Sequence, residues 1–219
     1  FYMQKKKIKT ILFDMDGVVI DSEKLHLRAM GLTLEKFDIP YTQSFLDEYV
    51  GRSDESFFDY VFNNMDSSFE VEDLLQNKNM FFEDLLIDLE YVEGFTEFIK
   101  FVEEQYWQKG LVTSSSIFTV NKVDELLNLK PYFDIIITEE DTQKHKPFPD
   151  PYLLALVKFE SDKSKTLIIE DSINGIKSGK AAGCIVAGST TSFDAKTLLG
   201  AGADFVVNSF KEIIYYINP

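Results

Sequence analysis

The stretch Thr10-Ile11-Leu12-Phe13-Asp14-Met15-Asp16-Gly17 decides how this chain is interpreted. An apolar run leads directly into two aspartates and a glycine, which is the pattern of a buried strand that ends in a sharp turn. Asp14 and Asp16 are two residues apart, so at strand period both side chains point the same way. Carboxylates next to a buried run are costly without partners. The stretch is therefore either a solvated strand end or a functional site.

Five more short apolar runs continue the pattern. They are continuous rather than alternating in polarity, as in a parallel sheet that helices cover on both faces. The predicted strands span residues 8–13, 110–113, 133–138, 166–169, 184–187 and 205–207. The predicted helices span residues 96–108, 117–129, 151–159, 173–182 and 210–217. This alternation predicts an α/β fold with a doubly wound, Rossmann-like parallel sheet.

One segment departs from this alternation. From residue 22 to about residue 91 the sequence is helical in pattern, rich in Phe, Leu and acidic residues, with no convincing strand. A segment of about 70 residues is too long for an ordinary crossover. We therefore predict an inserted all-helical domain at residues 21–93, with residues 1–20 and 94–219 forming the α/β core domain.

The composition is that of an ordinary globular protein with an excess of acidic groups. The 219 residues are 45% hydrophobic and 27% charged, and 22 basic against 37 acidic residues give a formal net charge of −15. This charge disfavours binding to nucleic acids and anionic membranes. The single cysteine, Cys184, cannot form an internal disulfide, and the apolar runs are shorter than a membrane span. We expect a cytoplasmic protein that binds neither nucleic acid nor membrane.

The ends of three other predicted strands also carry polar groups. Thr113-Ser114-Ser115-Ser116 offers hydroxyls and amides at a helix start, which suit an anion. Lys146 follows the third strand, ahead of prolines that stiffen the approach to the next helix, and Glu170 and Asp171 follow the fourth. The carboxyl ends of parallel strands share one edge of the sheet, so we expect these groups to meet the two aspartates of the first strand. Four carboxylates, a lysine and an anion nest fit Mg²⁺ and a phosphate group, and so predict phosphoryl transfer.

Four ordered segments carry a family resemblance. They are Asp14-Met15-Asp16-Gly17-Val18-Val19-Ile20-Asp21-Ser22-Glu23, Thr113-Ser114, Lys146-Pro147 with Pro149-Asp150, and Glu170-Asp171-Ser172-Ile173-Asn174-Gly175-Ile176. In this order and spacing they resemble the four signatures of the haloacid dehalogenase-like phosphohydrolases, over essentially the whole chain. The helical insertion directly after the first signature is similar to the cap of the β-phosphoglucomutase and phosphoglycolate phosphatase branch.

The resemblance implies a role for each residue of the core. Asp14 would be the nucleophile that forms an aspartyl-phosphate, and Asp16 would protonate the leaving alcohol and then deprotonate the attacking water. Mg²⁺ would be held by the Asp14 side chain, the Asp16 main-chain carbonyl and Asp171, with Glu170 contributing directly or through water. The residues implied in phosphate binding are Thr113, Ser114, Ser115 and Lys146. The true dehalogenases lack the second aspartate, so dehalogenation is not expected.

The same resemblance implies substrate contacts from the cap. The implied residues are His26, Gly51, Arg52 and Lys78. For His26 the alternative is a histidine on a helix surface, whereas for Lys78 the alternative of an exposed helical lysine is preferred. The mutase pattern places its arginine three residues after the glycine, where this chain has Asp54. That departure favours a phosphatase over a mutase.

We therefore expect a Mg²⁺-dependent phosphomonoester hydrolase that acts on a small phosphorylated metabolite, with sugar phosphates as the expected class. One alternative is a phosphosugar mutase of the β-phosphoglucomutase kind. The other is a non-catalytic binding protein on the same fold, against which the intact acidic residues and Lys146 argue. A monomer or a weak dimer is expected.

Overall fold

A six-stranded parallel sheet forms the centre of the computed structural model, which describes residues 8–50 and 54–217. The strands are β1 (Thr10–Phe13), β2 (Gln108–Val112), β3 (Ile135–Ile137), β4 (Thr166–Glu170), β5 (Ile185–Ser189) and β6 (Phe205–Val207). Their order across the sheet is β3-β2-β1-β4-β5-β6. The chain thus winds outward in one direction from β1 to β3 and in the other from β4 to β6. This is the order of a doubly wound, Rossmann-like sheet, and the predicted fold class is confirmed.

Ten α-helices lie within the described residues. Four of them lie between β1 and residue 90: α1 (Glu23–Lys36), α2 (Gln43–Asp47), α3 (Asp54–Asn64) and α4 (Val71–Leu85). The other six alternate with the strands: α5 (Phe95–Glu104), α6 (Ile117–Leu127), α7 (Asp150–Phe159), α8 (Ile173–Ala182), α9 (Ala195–Ala201) and α10 (Phe210–Ile217). Helices cover both sides of the sheet, which explains why its strands are continuous apolar runs.

The register of the central strands brings their carboxyl ends level. Phe13, the last residue of β1, pairs with Leu111 of β2 on one side and with Ile169 of β4 on the other. The amide of Asp14 continues the ladder by donating to the carbonyl of Ile169 at 3.0 Å. The sheet reverses its winding between β1 and β4, and such a point is where ligands bind in open parallel sheets.

The core on both faces of β1 is apolar. Leu12 is fully buried and belongs to a cluster that includes Val112, Ile137 and Ile168. On the other face the ring of Phe13 meets aromatic edges at centroid distances of 5.7 to 6.0 Å, from Phe95, Phe98 and Phe133. Burying one such side chain contributes about 2 kcal/mol, so β1 is held firmly where it delivers the residues that follow it.

Several element bounds differ from those expected. The helix predicted for residues 96–108 ends at Glu104, and Tyr106 adopts a left-handed conformation with φ of 57°. Gln108 instead begins β2, because it pairs with Thr10 and its side-chain amide donates to the carbonyl of Phe159. The helix Ala195–Ala201 was not predicted. At seven residues, it is too short to show a clear apolar period.

The chain divides into two compact units. The first, called here the core unit, comprises Phe1–Ile20 and Tyr91–Pro219, and the second, the helical unit, comprises Asp21–Glu90. The helical unit has its own apolar centre, with Leu34 of α1, Phe57 and Phe58 of α3 and Leu74 of α4 all fully buried. Helix α1 packs against α4, and α3 packs against α4 as well.

The chain leaves and re-enters the core unit at neighbouring backbone positions. Within the core unit Ile20 forms an antiparallel bridge with Tyr91. Within the helical unit the amide of Asp21 donates to the carbonyl of Glu90 at 2.9 Å. The two ends of the insertion are thus tied together by main-chain pairing.

Candidate active site

Asp14 and Lys146 form the centre of the site. Asp14 follows β1 and is 8% exposed, and its Oδ1 accepts a hydrogen bond from Lys146 Nζ at 2.6 Å. Lys146 lies in the loop before α7, and its ammonium also donates to the carbonyl of Val112 at 2.9 Å. A buried ammonium held by a main-chain and a carboxylate acceptor is a fixed cation, not a mobile surface charge.

Glu170, the last residue of β4, completes the setting of Lys146. Its side chain is fully buried, and Oε1 accepts from Lys146 Nζ at 2.6 Å and from the hydroxyl of Tyr152 at 2.6 Å. Oε2 accepts from the hydroxyl of Ser172 at 3.0 Å. A Cβ on Gly175 would lie 1.9 Å from the Glu170 carboxyl carbon, so only glycine leaves room for this carboxylate against α8.

Asp171 stands beside this group on the next residue of the chain. It is 4% exposed, and the hydroxyls of Ser192 and Thr191 both donate to Oδ2. Gly17 has a φ of 70°, and a Cβ there would lie 1.9 Å from Asp171 Oδ2. The turn after β1 therefore requires glycine twice, for its left-handed backbone and for the close approach of this carboxylate.

Asp16 is held by a hydroxyl from the second strand end. The side chain of Ser115 donates to Asp16 Oδ2 at 3.0 Å. The turn that carries Asp16 closes on the carbonyl of Met15, which accepts from the amides of Val19 and Ile20 at 2.8 and 3.0 Å. Asp16 is only partly buried, so its carboxylate can reach solvent or a bound molecule.

The segment after β2 shapes a polar nest. Thr113 is 3% exposed, and its Oγ1 accepts from the amide of Ser115 at 2.9 Å. Ser116 caps α6 by accepting from the amide of Thr119. Ser114 is exposed between these fixed residues, in a segment of hydroxyls and amides that suits an anion.

The electrostatics of the cluster reflect an excess of negative charge. Burial raises the pKa of Asp14 to about 7, with the charge of Glu170 adding to the effect and Lys146 opposing it. Burial, with the charges of Asp14 and Glu170, also raises the pKa of Asp171 well above its usual value. Burial lowers the pKa of Lys146, but the two carboxylates more than compensate, so its pKa is raised and the ammonium stays charged.

The three carboxylates can share a cation. One oxygen each from Asp14, Glu170 and Asp171 lies within 4.8 Å of the others. Ligands of an octahedral Mg²⁺ lie about 3 to 4 Å apart, so small side-chain adjustments suffice. Three carboxylates face one ammonium, so a divalent cation would balance the charge of the group. The residues present therefore fit a hard divalent metal.

Three polar residues of the helical unit form a second group around a buried lysine. Lys78 of α4 is 1% exposed, and its Nζ lies 2.5 Å from Asp54 Oδ2 of α3 and 2.7 Å from Nδ1 of His26 on α1. The His26 ring stacks on Phe82 at a centroid distance of 4.0 Å, and Lys78 Nζ lies 4.9 Å from the same ring. The alternative of an exposed Lys78 is therefore wrong. Gly51 and Arg52 lie outside the described residues.

Comparison with known proteins decides the family. The sequence profile described as haloacid dehalogenase-like hydrolase matches residues 11–189 of this chain. The chain belongs to that family. The matched region contains all eight of the core residues that sequence analysis selected.

Relatives of this hydrolase agree in length and architecture. It is 30% identical to a pyrophosphatase PpaX of Bacillus pumilus, over 97% of both chains. It is 28% identical to a phosphorylated carbohydrates phosphatase of Thermotoga maritima, over 94% of this chain and all of that one. A solved Thermotoga maritima structure, provisionally named a beta-phosphoglucomutase, superposes with a TM-score of 0.80 and 26% identity, covering 95% of this chain and 97% of that one.

The recognised family and the enzyme class are thus confirmed. The hydrolase is a phosphatase of the haloacid dehalogenase-like family. Among the helices of residues 8–50 and 54–217, none is long and apolar enough to cross a membrane.

Three residues that hold the carboxylates of this hydrolase were not predicted from the sequence. Thr191 and Ser192 follow β5, and the rule that polar groups after a strand face the site would have found them. Tyr152 gave no such signal, because it lies within the apolar pattern of α7 and is fully buried. Four of the predicted side chains do come together, those of Asp14, Lys146, Glu170 and Asp171. Asp16 follows Asp14 by two residues and is hydrogen-bonded to Ser115.

Proposed function

We propose that this enzyme hydrolyses phosphate monoesters of small metabolites, sugar phosphates above all, with Mg²⁺ and through an aspartyl-phosphate on Asp14. The observation that carries the proposal is the buried contact of Asp14 with Lys146 at 2.6 Å, with a second aspartate two residues further on. A nucleophilic carboxylate, a cation for the phosphoryl oxygens and an acid for the leaving group are the parts that this reaction needs.

Asp14 acts as the nucleophile in the first half of the reaction. A carboxylate oxygen of Asp14 bonds to phosphorus while the bond from phosphorus to the leaving alcohol oxygen breaks. Lys146 holds the attacking carboxylate and offsets the charge of the transferring group. The groups that would hold Mg²⁺ are the Asp14 and Asp171 side chains, the Asp16 carbonyl and Glu170, directly or through water. The metal would supply further positive charge to offset that of the phosphoryl group.

Asp16 moves the proton in both halves of the reaction. Ser115 fixes its Oδ2, which orients the carboxyl group. Asp16 first gives a proton to the departing alcohol oxygen, and then takes one from the water that attacks phosphorus. That attack breaks the bond between phosphorus and Asp14 and releases inorganic phosphate, so both side chains return to their starting states.

The segment after β2 binds the phosphoryl group. Thr113 is buried and anchored by the amide of Ser115, which leaves Ser114 and its amide presented at the strand end. We assign the phosphate-binding role to Thr113, Ser114, Ser115 and Lys146. Backbone amides and hydroxyls suit this role because they bind anions without titrating near neutral pH.

The helical unit is assigned as the cap that selects the leaving group, and the core unit as the catalytic domain. We assign substrate contact to His26 and Lys78, and also to Gly51 and Arg52, which lie outside the described residues. The charge of Lys78 is already balanced by Asp54, which favours a neutral polyol as leaving group over a second phosphate. The phosphatase of phosphorylated carbohydrates among the relatives supports the same substrate class.

The balanced Lys78 also argues against a mutase. A mutase must bind an intermediate that carries two phosphates, and it needs unpaired positive charge for the second. In the chain as described, Asp54 stands at the position of the mutase arginine and pairs with Lys78. The likeness to a provisionally named beta-phosphoglucomutase thus concerns the fold more than the substrate.

A phosphate-release assay tests the proposal. The enzyme is incubated with Mg²⁺ and a panel of sugar phosphates, phosphoglycolate, nucleotides and pyrophosphate. Metal-dependent release from sugar phosphates, lost on chelation, supports the proposal. Release from pyrophosphate alone would overturn the substrate class, and conversion of β-glucose 1-phosphate to glucose 6-phosphate without phosphate release would make the enzyme a mutase. No turnover of any substrate would overturn the proposal altogether.

A further inference from the structure

Tyr152 is a buried tyrosine whose hydroxyl donates a hydrogen bond to a carboxylate. It lies in the first turn of α7 and packs in the apolar cluster that contains Leu12, Val112 and Ile168. A phenylalanine would fill the same space, and a buried hydroxyl is costly unless it is hydrogen-bonded. The Tyr152 hydroxyl has such a partner, Glu170 Oε1 at 2.6 Å.

The same carboxylate oxygen holds Lys146. Glu170 Oε1 accepts from Tyr152 and from Lys146 Nζ, each at 2.6 Å. Lys146 Nζ also lies 5.1 Å from the centroid of the Tyr152 ring. Tyr152 therefore contacts both members of this ion pair, the carboxylate through its hydroxyl and the ammonium through its ring face.

The position of Glu170 depends on what surrounds its carboxylate. Gly175 forms one wall, with room for no Cβ, and the Ser172 hydroxyl holds Oε2. Among residues 8–50 and 54–217, Tyr152 and Lys146 are the two that donate to Oε1. Without the tyrosine hydroxyl, Oε1 would keep the lysine alone, and the carboxylate could turn and draw the ammonium with it.

We propose that Tyr152 is a positioning residue that fixes Glu170 and thereby holds the Lys146 ammonium against Asp14. Tyr152 does not touch substrate. Its effect reaches the reaction through Lys146, the residue that holds the nucleophile and the phosphoryl group, so the kinetic part of this inference rests on the proposed function.

The variant Tyr152→Phe tests this role because it removes one oxygen and keeps the ring. Since Lys146 acts mostly on the transferring group, we expect kcat to fall about tenfold, with KM changing less than threefold. The matched control is Tyr91→Phe, which removes another hydroxyl that donates to the carbonyl of Leu127 at 2.7 Å. That control should keep kcat within twofold of the wild-type value.

A second measurement does not depend on turnover. The Lys146 side chain is 5% exposed and has three acceptors. Its ammonium protons should therefore exchange slowly with water, so that the ¹⁵N-ammonium signal is visible by NMR. Tyr152→Phe should broaden or shift that signal, whereas Tyr91→Phe should leave it unchanged. An unchanged signal in Tyr152→Phe, or a kcat within twofold of wild type in an active enzyme, would overturn the inference. If the wild-type enzyme turned over no phosphate ester, the proposed function would fail while the NMR comparison still decided the role of Tyr152.

Discussion

Among the residues that the structure describes, Lys78 and Lys146 have buried side chains, and their surroundings differ in charge. In the core unit Lys146 meets the carboxylates of Asp14 and Glu170, with Asp171 close by. In the helical unit Lys78 contacts one carboxylate, that of Asp54, and Nδ1 of the His26 ring. The first group has an excess of negative charge and the second is balanced. An unbalanced buried group can take up a cation and a reacting anion, whereas a balanced one serves packing and selectivity.

The largest expected effect is the loss of kcat when Asp14, the proposed nucleophile of the core group, is replaced. Asp14→Asn should lower kcat by about 10⁴-fold or more, because an amide oxygen cannot form the phosphoenzyme. The fold should persist, since the substitution removes one of three crowded negative charges. Phosphate release measures the first effect and thermal unfolding the second, with Asp162→Asn as the control. An Asp14→Asn variant that retained a tenth of the wild-type turnover would rule out the nucleophile assigned here.

The pH dependence of the metal-free enzyme tests the charge excess itself. The pKa of Asp14 rises from 3.8 to about 7 on folding, so the folded state binds more protons than the unfolded chain between these values. Stability should therefore fall as the pH rises from about 4 to about 7, at about 1.4 kcal/mol per pKa unit and by at most about 4 kcal/mol. Urea unfolding at several pH values, with and without Mg²⁺, measures this. Mg²⁺ should restore the lost stability at pH 7, and a metal-free protein whose stability rose over this range would contradict the prediction.

In the helical unit, removing Asp54 should lower the free energy of unfolding more than removing Lys78 does. Asp54→Ala leaves the Lys78 ammonium buried without its carboxylate, and should lower the free energy of unfolding by about 3 kcal/mol. Lys78→Met should cost about 1 kcal/mol, because the Asp54 side chain is 26% exposed and can reach water. Urea denaturation of both variants and of the double variant gives the comparison. A larger loss for Lys78→Met than for Asp54→Ala would show that the pair is not organised around the buried lysine.

A smaller effect is expected from a methyl group placed against the core carboxylates. Gly175→Ala puts a Cβ within 2.0 Å of the Glu170 carboxylate and should lower the free energy of unfolding by about 2 kcal/mol. Gly200→Ala is the matched control, because it also lies in a helix and its Cβ would meet no atom within 4 Å. Thermal unfolding should show Gly200→Ala at or up to about 1 kcal/mol above wild type. Equal stability of the two variants would mean that the wall behind Glu170 is loose.

The core site was predictable because the topology of a parallel sheet collects strand ends. Asp14, Glu170 and Asp171 each follow an apolar run, and a level register places them at one edge. Lys146 was expected at the same edge, but because it comes from a loop, the sequence does not indicate which carboxylates it contacts. Its partners are 132 and 24 residues away in the sequence.

The helical unit was less predictable because a helix face carries no such rule. Lys78 has the sequence surroundings of an exposed lysine, and its burial depends on how α1 and α3 pack against α4. Tyr152 shows the same difficulty in the core unit. An aromatic residue in an apolar helix is compatible with packing alone, and only the folded chain shows a carboxylate 2.6 Å from its hydroxyl.

The pairing of Ile20 with Tyr91 and of Asp21 with Glu90 has a consequence for how such enzymes diversify. The insertion begins and ends at adjacent backbone positions. Its length therefore has little effect on the register of the sheet. Doubling the length of a flexible loop costs only about 0.6 kcal/mol in closure entropy. Residues 21–90 can therefore be lengthened, shortened or exchanged for another lineage's insertion without re-registering a single strand. If the helical unit selects the substrate, as proposed above, exchanging it would change the substrate range and leave the residues of the core unit unchanged.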